Sequence, residues 1–201
     1  MSRIATAALL ALAALVSFSG VANAAGDPQA GASLANACMG CHGIDGYRNA
    51  YPSFRVPKLA GQKPDYIIAA LKAYKDKTRP HPTMRAQAAS LSDQDMQDIA
   101  AFIAAEGEAV TGAAANVPGK EKVAVCAACH GDAGISPSPI WPSLAGQHRD
   151  YLEHSINEYR TKRRQDPIMQ GQVTTLTDAD VREIAAFFAA QPGLFTTHLK
   201  N

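Results

Sequence analysis

Two short stretches carry the residue types best able to do chemistry: CMGCH, with Cys38, Cys41 and His42, and CAACH, with Cys126, Cys129 and His130. They hold all four cysteines of the chain. A C-x-x-C pair alone serves a disulfide, a zinc site or a redox dithiol. A histidine directly after the second cysteine makes it a c-type haem attachment site. The spacing suits that chemistry. Two thiols one helical turn apart each form a thioether with a haem vinyl group, and the adjacent imidazole lies beneath the iron as proximal ligand. Zinc wants four ligands closing on one metal, and a thioredoxin-like dithiol wants a βαβ context that this sequence lacks. Two covalent haem c groups are therefore expected, held by Cys38, Cys41, Cys126 and Cys129, with His42 and His130 on the irons.

The far side of each iron needs a second ligand, and the chain supplies its own control because it is written twice. VPKLAGQKPDYIIAALKAYKDKTRPHPTM in the first half answers to WPSLAGQHRDYLEHSINEYRTKRRQDPIM in the second, and LSDQDMQDIAAFIAA to LTDADVREIAAFFAA. From Pro57 onward the copies match at a constant shift of 85 positions, whereas the C-x-x-C-H motifs are offset by 88. The first copy thus carries three extra residues around RNAYPSF, and a tandem duplication is the reading. Among candidate ligands, His81 answers to Asp166 and Met96 to Val181, so neither is shared. His148 and His154 answer to Lys63 and Ala69, His198 lies beyond the repeat, and Met39 sits between the two cysteines. Met84 and Met169 remain, each two residues after a proline, in what reads as a polar loop rather than an apolar helix face where methionine fills core. A thioether opposite histidine raises the reduction potential and closes the iron to small molecules. Electron transfer follows, with no catalysed reaction on a substrate.

Other matched residues invite weaker assignments. A backbone carbonyl at Pro57 or Pro142 suits the proximal imidazole N–H. Arg79 and Arg164 suit either haem propionates or solvent at a helix end. Tyr66, Tyr151 and Trp141 read best as core packing beside a haem edge.

The elements that must position these groups are helical. Asp27-Pro28 is a cap and first position for a helix running into the first motif, and GKEKVAVCAAC is expected to do the same in the second copy. PDYIIAALKAYKD and RDYLEHSINEYR are expected helices. Ser92-x-x-Asp95 and Thr177-x-x-Asp180 have the form of capping boxes opening the last helix of each copy, where Met96, Ile99, Phe102 and Ile103 recur at helical spacing. Strand alternation is absent. The fold class is all-α: two tandem cytochrome c-like domains, each a few helices wrapped around a covalent haem that staples a small core. The expected divisions are 1–24 signal peptide, 25–111 first domain, 112–119 linker and 120–201 second domain.

The leader reading rests on Arg3, an uncharged apolar run and Ala22-Asn23-Ala24; the run is shorter than the ~20 residues a spanning helix needs. Export follows. Lys plus Arg number 19 and Asp plus Glu 18, a balance that gives nucleic-acid binding no support. The local run Arg160-Thr161-Lys162-Arg163-Arg164 reads as a solvated helix end.

Taken together, two C-x-x-C-H-G sites, two P-x-L-A-G-Q segments, two P-x-M segments and two closing L-[ST]-x-x-D…IAAF helices resemble the cytochrome c4 family over nearly the whole exported chain. The resemblance implies a dihaem periplasmic carrier, sometimes peripherally membrane-associated, passing electrons between a respiratory donor and a terminal oxidase or reductase. It also implies two domains facing each other across a pseudo-twofold, with haem propionates near the interface. A haem-bearing subunit of a dehydrogenase, for instance beside a sulfide-oxidising flavoprotein, is the alternative. A dihaem peroxidase fits poorly, since it needs one iron that can open.

Overall fold

The computed structural model describes residues 26–51, 53–111 and 117–198. The expected leader (1–24) and most of the expected linker (112–119) lie outside the described residues. The first half contains α1 (Pro28–His42), α2 (Pro64–Lys75), α3 (Pro82–Ala89) and α4 (Asp93–Ala105); the second contains α5 (Ala124–His130), α6 (Arg149–Arg160), α7 (Pro167–Val173) and α8 (Asp178–Ala190). Strand pairing among the described residues is limited to isolated bridges.

Each half repeats one local logic. Asp27 accepts the Gln29 N–H ahead of Pro28, so α1 starts with a side-chain cap and a proline whose missing N–H costs nothing there. Ser92 and Thr177 cap α4 and α8 in complete capping boxes with Asp95 and Asp180. The first core joins Ile67 and Leu71 of α2 to Met96, Ile99, Ala100 and Ile103 of α4, with Leu34 and Met84 packed against it. The second joins Leu152 of α6 to Ile184, Ala185, Phe187 and Phe188 of α8, together with Val123.

Two expectations need correction. The second motif helix is only seven residues, against fifteen in α1. GKEK forms turns instead, because Val123 offers no capping side chain and Gly119 sits at φ +92°. Met84 and Met169 stand not in loops but in the first turns of α3 and α7. Pro82 and Pro167 start those helices, and His81 and Asp166 cap them.

Candidate functional site

α1 ends in the first motif and so presents Cys38, Cys41 and His42 together. All three line one cavity with Met84 of α3, and Tyr66, Ile67, Leu71 and Ile99 form part of its wall. His42 is buried, and its Nδ1 donates to the Pro57 carbonyl at 2.8 Å. His130 repeats this with Pro142, also at 2.8 Å. That bond commits one ring nitrogen and leaves Nε2 for a metal, the usual arrangement of a ligating histidine. Burial pushes the His42 imidazole down to about 4, outweighing the Pro57 bond that favours the cation, so the ring is neutral. Burial likewise lowers His130. A reactive dithiol would need a depressed thiol, yet burial raises both Cys38 and Cys126. Among the described residues no group of three or more His, Cys, Asp or Glu side chains could hold a metal on its own.

A second feature tests the fit to haem. Arg79 and Arg164 are buried, not solvent-facing, and each stacks over a tyrosine, Tyr74 or Tyr159, with the guanidinium carbon 4.5 Å from the ring centroid. Their hydrogen bonds cross between the halves: Arg79 donates to the Tyr151 phenol, and Arg164 to the Tyr66 phenol at 3.1 Å. Arg79 also reaches Tyr66 at 3.3 Å. No carboxylate ion-pairs with either guanidinium among the described residues. Burial would raise the Tyr66 phenol, yet the two guanidiniums overcome it and pull the group down to about 8. Two buried cations with only neutral partners call for anions, and both border the cavity. Haem propionates are carboxylates of the required charge. The thiols, the neutral imidazole, the thioether and the paired guanidiniums together fit a covalent haem.

The basic run around Arg164 therefore does not act as one solvated patch. Arg160 pairs with Asp178, Arg163 with Glu158 at 3.6 Å, and Arg164 is interior.

The L-A-G-Q element carries a role that the sequence did not disclose. Gly61 and Gly146 adopt φ +82° and +72°, and a Cβ on Gly61 would meet Ala109 Cα at 2.7 Å. The following glutamines then lock the halves reciprocally. Gln62 accepts from Ser143 N at 2.9 Å and donates to Ser143 O at 3.0 Å. Gln147 accepts from Lys58 N and donates to Lys58 O, both at 3.0 Å. Lys58 and Ser143 are themselves repeat partners, so the lock obeys a pseudo-twofold. The clue in the sequence was the recurrence of a glutamine after each glycine; its partner was invisible. The first-half insertion adds an unsymmetrical clamp: Arg48 and Arg55 meet Asp150 at 2.6 and 3.5 Å, and Phe54 stacks on His154 at 4.1 Å.

The family model for Cytochrome c matches residues 28–106 and 117–191. Cytochrome c4 of Pseudomonas aeruginosa is 32% identical over 89% of this chain and 96% of its own. The chain belongs to the cytochrome c4 family. It is also similar to a thiosulfate dehydrogenase electron acceptor of Stutzerimonas stutzeri, 33% identical over 80% of this chain and 82% of that one. The crystal structure of reduced cytochrome c4 from Pseudomonas stutzeri superposes with a TM-score of 0.68 at 28% identity, covering 83% of this chain and all of that one. As a cytochrome c4, the chain carries two covalent haem c groups, one at each C-x-x-C-H, and serves electron transfer to and from redox proteins, not catalysis.

Proposed function

We propose that the chain is a periplasmic two-electron carrier in which each haem is bound by one motif and capped by one methionine. Cys38 and Cys41 would hold the first haem in residues 25–111, with His42 and Met84 as its iron ligands. Cys126 and Cys129 would hold the second in residues 120–201, with His130 and Met169 as its iron ligands. The observation that carries this reading is the convergence of Cys38, Cys41, His42 and Met84 on one cavity. The iron supplies one-electron redox chemistry; the chain's own residues hold it and close it. His42 and His130 are oriented by proline carbonyls, and burial disfavours the cation at both. His81 and Asp166 fix the first turns that present the methionines. Arg79 and Arg164, buried where the halves meet, would neutralise haem propionates there.

Exposed apolar side chains flank each motif, Ile44 and Tyr47 in the first half and Val125 in the second. They support docking of partners at the haem edges. A respiratory donor and a terminal oxidase or reductase are the partners of this reading. The apolar leader supports export, and no described helix is long and apolar enough to cross a membrane. Similarity to the thiosulfate dehydrogenase electron acceptor supports a second reading, a dedicated acceptor for one dehydrogenase.

Reductive titration under argon tests the function. The purified holoprotein is expected to take two electrons per chain and, when reduced, to bind no carbon monoxide. Stoichiometric carbon monoxide binding would mean an open iron, as a peroxidase requires. Copurification of a stoichiometric dehydrogenase would decide for the second reading.

A further inference from the structure

The halves are near copies, yet the residue capping each methionine-bearing helix differs in charge. His81 Nδ1 accepts the Met84 N–H at 3.2 Å, and Asp166 Oδ1 accepts the Met169 N–H at 3.0 Å. A ring nitrogen that accepts a hydrogen bond carries no proton, so the first cap is a neutral imidazole. The second is a carboxylate, and no cation ion-pairs with it among the described residues.

The other charges near the sites do not cancel this difference. Arg79 and Arg164 are repeat partners buried to similar depth, 6% and 8% exposed. Glu158 borders the first cavity, but it pairs with Arg163 at 3.6 Å. Lys58 also borders that cavity and donates to the Gly146 carbonyl at 2.7 Å, but Asp45 acts on it as an opposing charge, so it does not add to the difference. The cap difference therefore stands, and it leaves the Met84 helix the more positive of the two. An oxidised haem centre carries one more positive charge than a reduced one. A nearby anion therefore favours oxidation, and a nearby cation favours reduction. A carboxylate one turn from the ligand also lies within the Debye length of ~8 Å at physiological salt, so screening does not erase it.

We infer that the charges built around the methionine helices order the two haems, with the Met84 site at the higher reduction potential and the Met169 site at the lower. The first electron to enter the chain then resides in the first half. His81 and Asp166 act as positioning residues whose charge, not only geometry, is used. The inference rests on the methionine ligation proposed above.

Spectroelectrochemical titration of the holoprotein at neutral pH and fixed ionic strength tests it. Asp introduced by His81→Asp adds an anion at the upper site, so the upper wave moves down, with a several-fold change in the reduced-to-oxidised ratio at fixed applied potential. Asp166→Asn keeps an amide oxygen as cap and removes the anion, so the lower wave moves up by a similar factor. Each substitution brings the two waves together. If both drive the waves apart, the order is reversed; if neither moves a wave, the caps are structural only; either result overturns the inference. His81→Asn, a neutral cap, is expected to leave both waves in place, and a shift equal to that of His81→Asp would defeat the charge argument. The sulfur-to-iron charge-transfer band of the oxidised protein reads ligation separately. Its absence from the unsubstituted protein would defeat the ligation and the inference together, whereas an intact band with diverging waves would defeat the inference alone.

Discussion

At the residue scale, the neutral imidazoles and the buried guanidiniums do the deciding work, and only the first were legible in the sequence. C-x-x-C-H names its histidine, and the proline carbonyls that receive Nδ1 follow at 15 and 12 residues in the two copies. Arg79 and Arg164 read equally well as solvent-facing, since nothing in RP or RRQ reveals burial. Their surroundings make a measurable claim. A buried cation with no counter-charge is stabilised by replacement with an apolar group, whereas breaking a buried ion pair costs about 3–5 kcal/mol. If propionates complete these sites, Arg79→Leu in the holoprotein is expected to lose about 3 kcal/mol of stability in urea unfolding. A neutral or stabilising result would mean that no anion is present there.

At the element scale, the capping boxes of α4 and α8 were readable because their signal is local. Ser92→Ala and Thr177→Ala are each expected to cost about 1 kcal/mol, measured by thermal or urea unfolding. The Asp180 carboxyl accepts from Lys122 and from Thr177, bonds that hold it well below the usual carboxylate range. A depressed folded value gives stabilisation that is present above the unfolded value of about 4 and lost as the pH falls. Unfolding measured from neutral to acid pH is therefore expected to show a steeper acid loss in the unsubstituted protein than in Asp180→Asn. Equal slopes would contradict the role given to this cap. The helices bearing Met84 and Met169 were missed although the signal was present: Asp166-Pro167 has the same form as Asp27-Pro28, which opens α1. A histidine in the matching place disguised the first copy, since an imidazole cap is a rare substitute for a carboxylate. The shortened α5 was missed for the opposite reason, as GKEK has helical composition but no cap to start a helix.

At the scale of the whole molecule, the repeat announced two matched halves but not which surfaces meet. Those contacts join residues 72 to 102 positions apart, and no local pattern encodes them. The structure ranks the candidates by burial. Gln147, 4% exposed, holds both backbone groups of Lys58, whereas Asp150 meets two arginines that remain nearly half exposed. Removing a buried partner leaves polar groups unsatisfied at about 1–3 kcal/mol, while exposed ion pairs contribute under about 1 kcal/mol and weaken with salt. Gln147→Ala is accordingly expected to destabilise the protein more than Asp150→Ala, with only the latter effect fading at high salt in urea titrations.

Methionine capping of both irons is the claim from which closed sites, a raised potential and electron transfer without a substrate all follow. Absorption of the oxidised holoprotein, compared among the unsubstituted chain, Met84→Ala, Met169→Ala and the double variant, tests it most directly. The account predicts that each single substitution removes about half of the sulfur-to-iron charge-transfer band and that the double variant loses it entirely, while the covalent haem content remains two per chain. A band that persists undiminished without Met84 and Met169 would contradict the account.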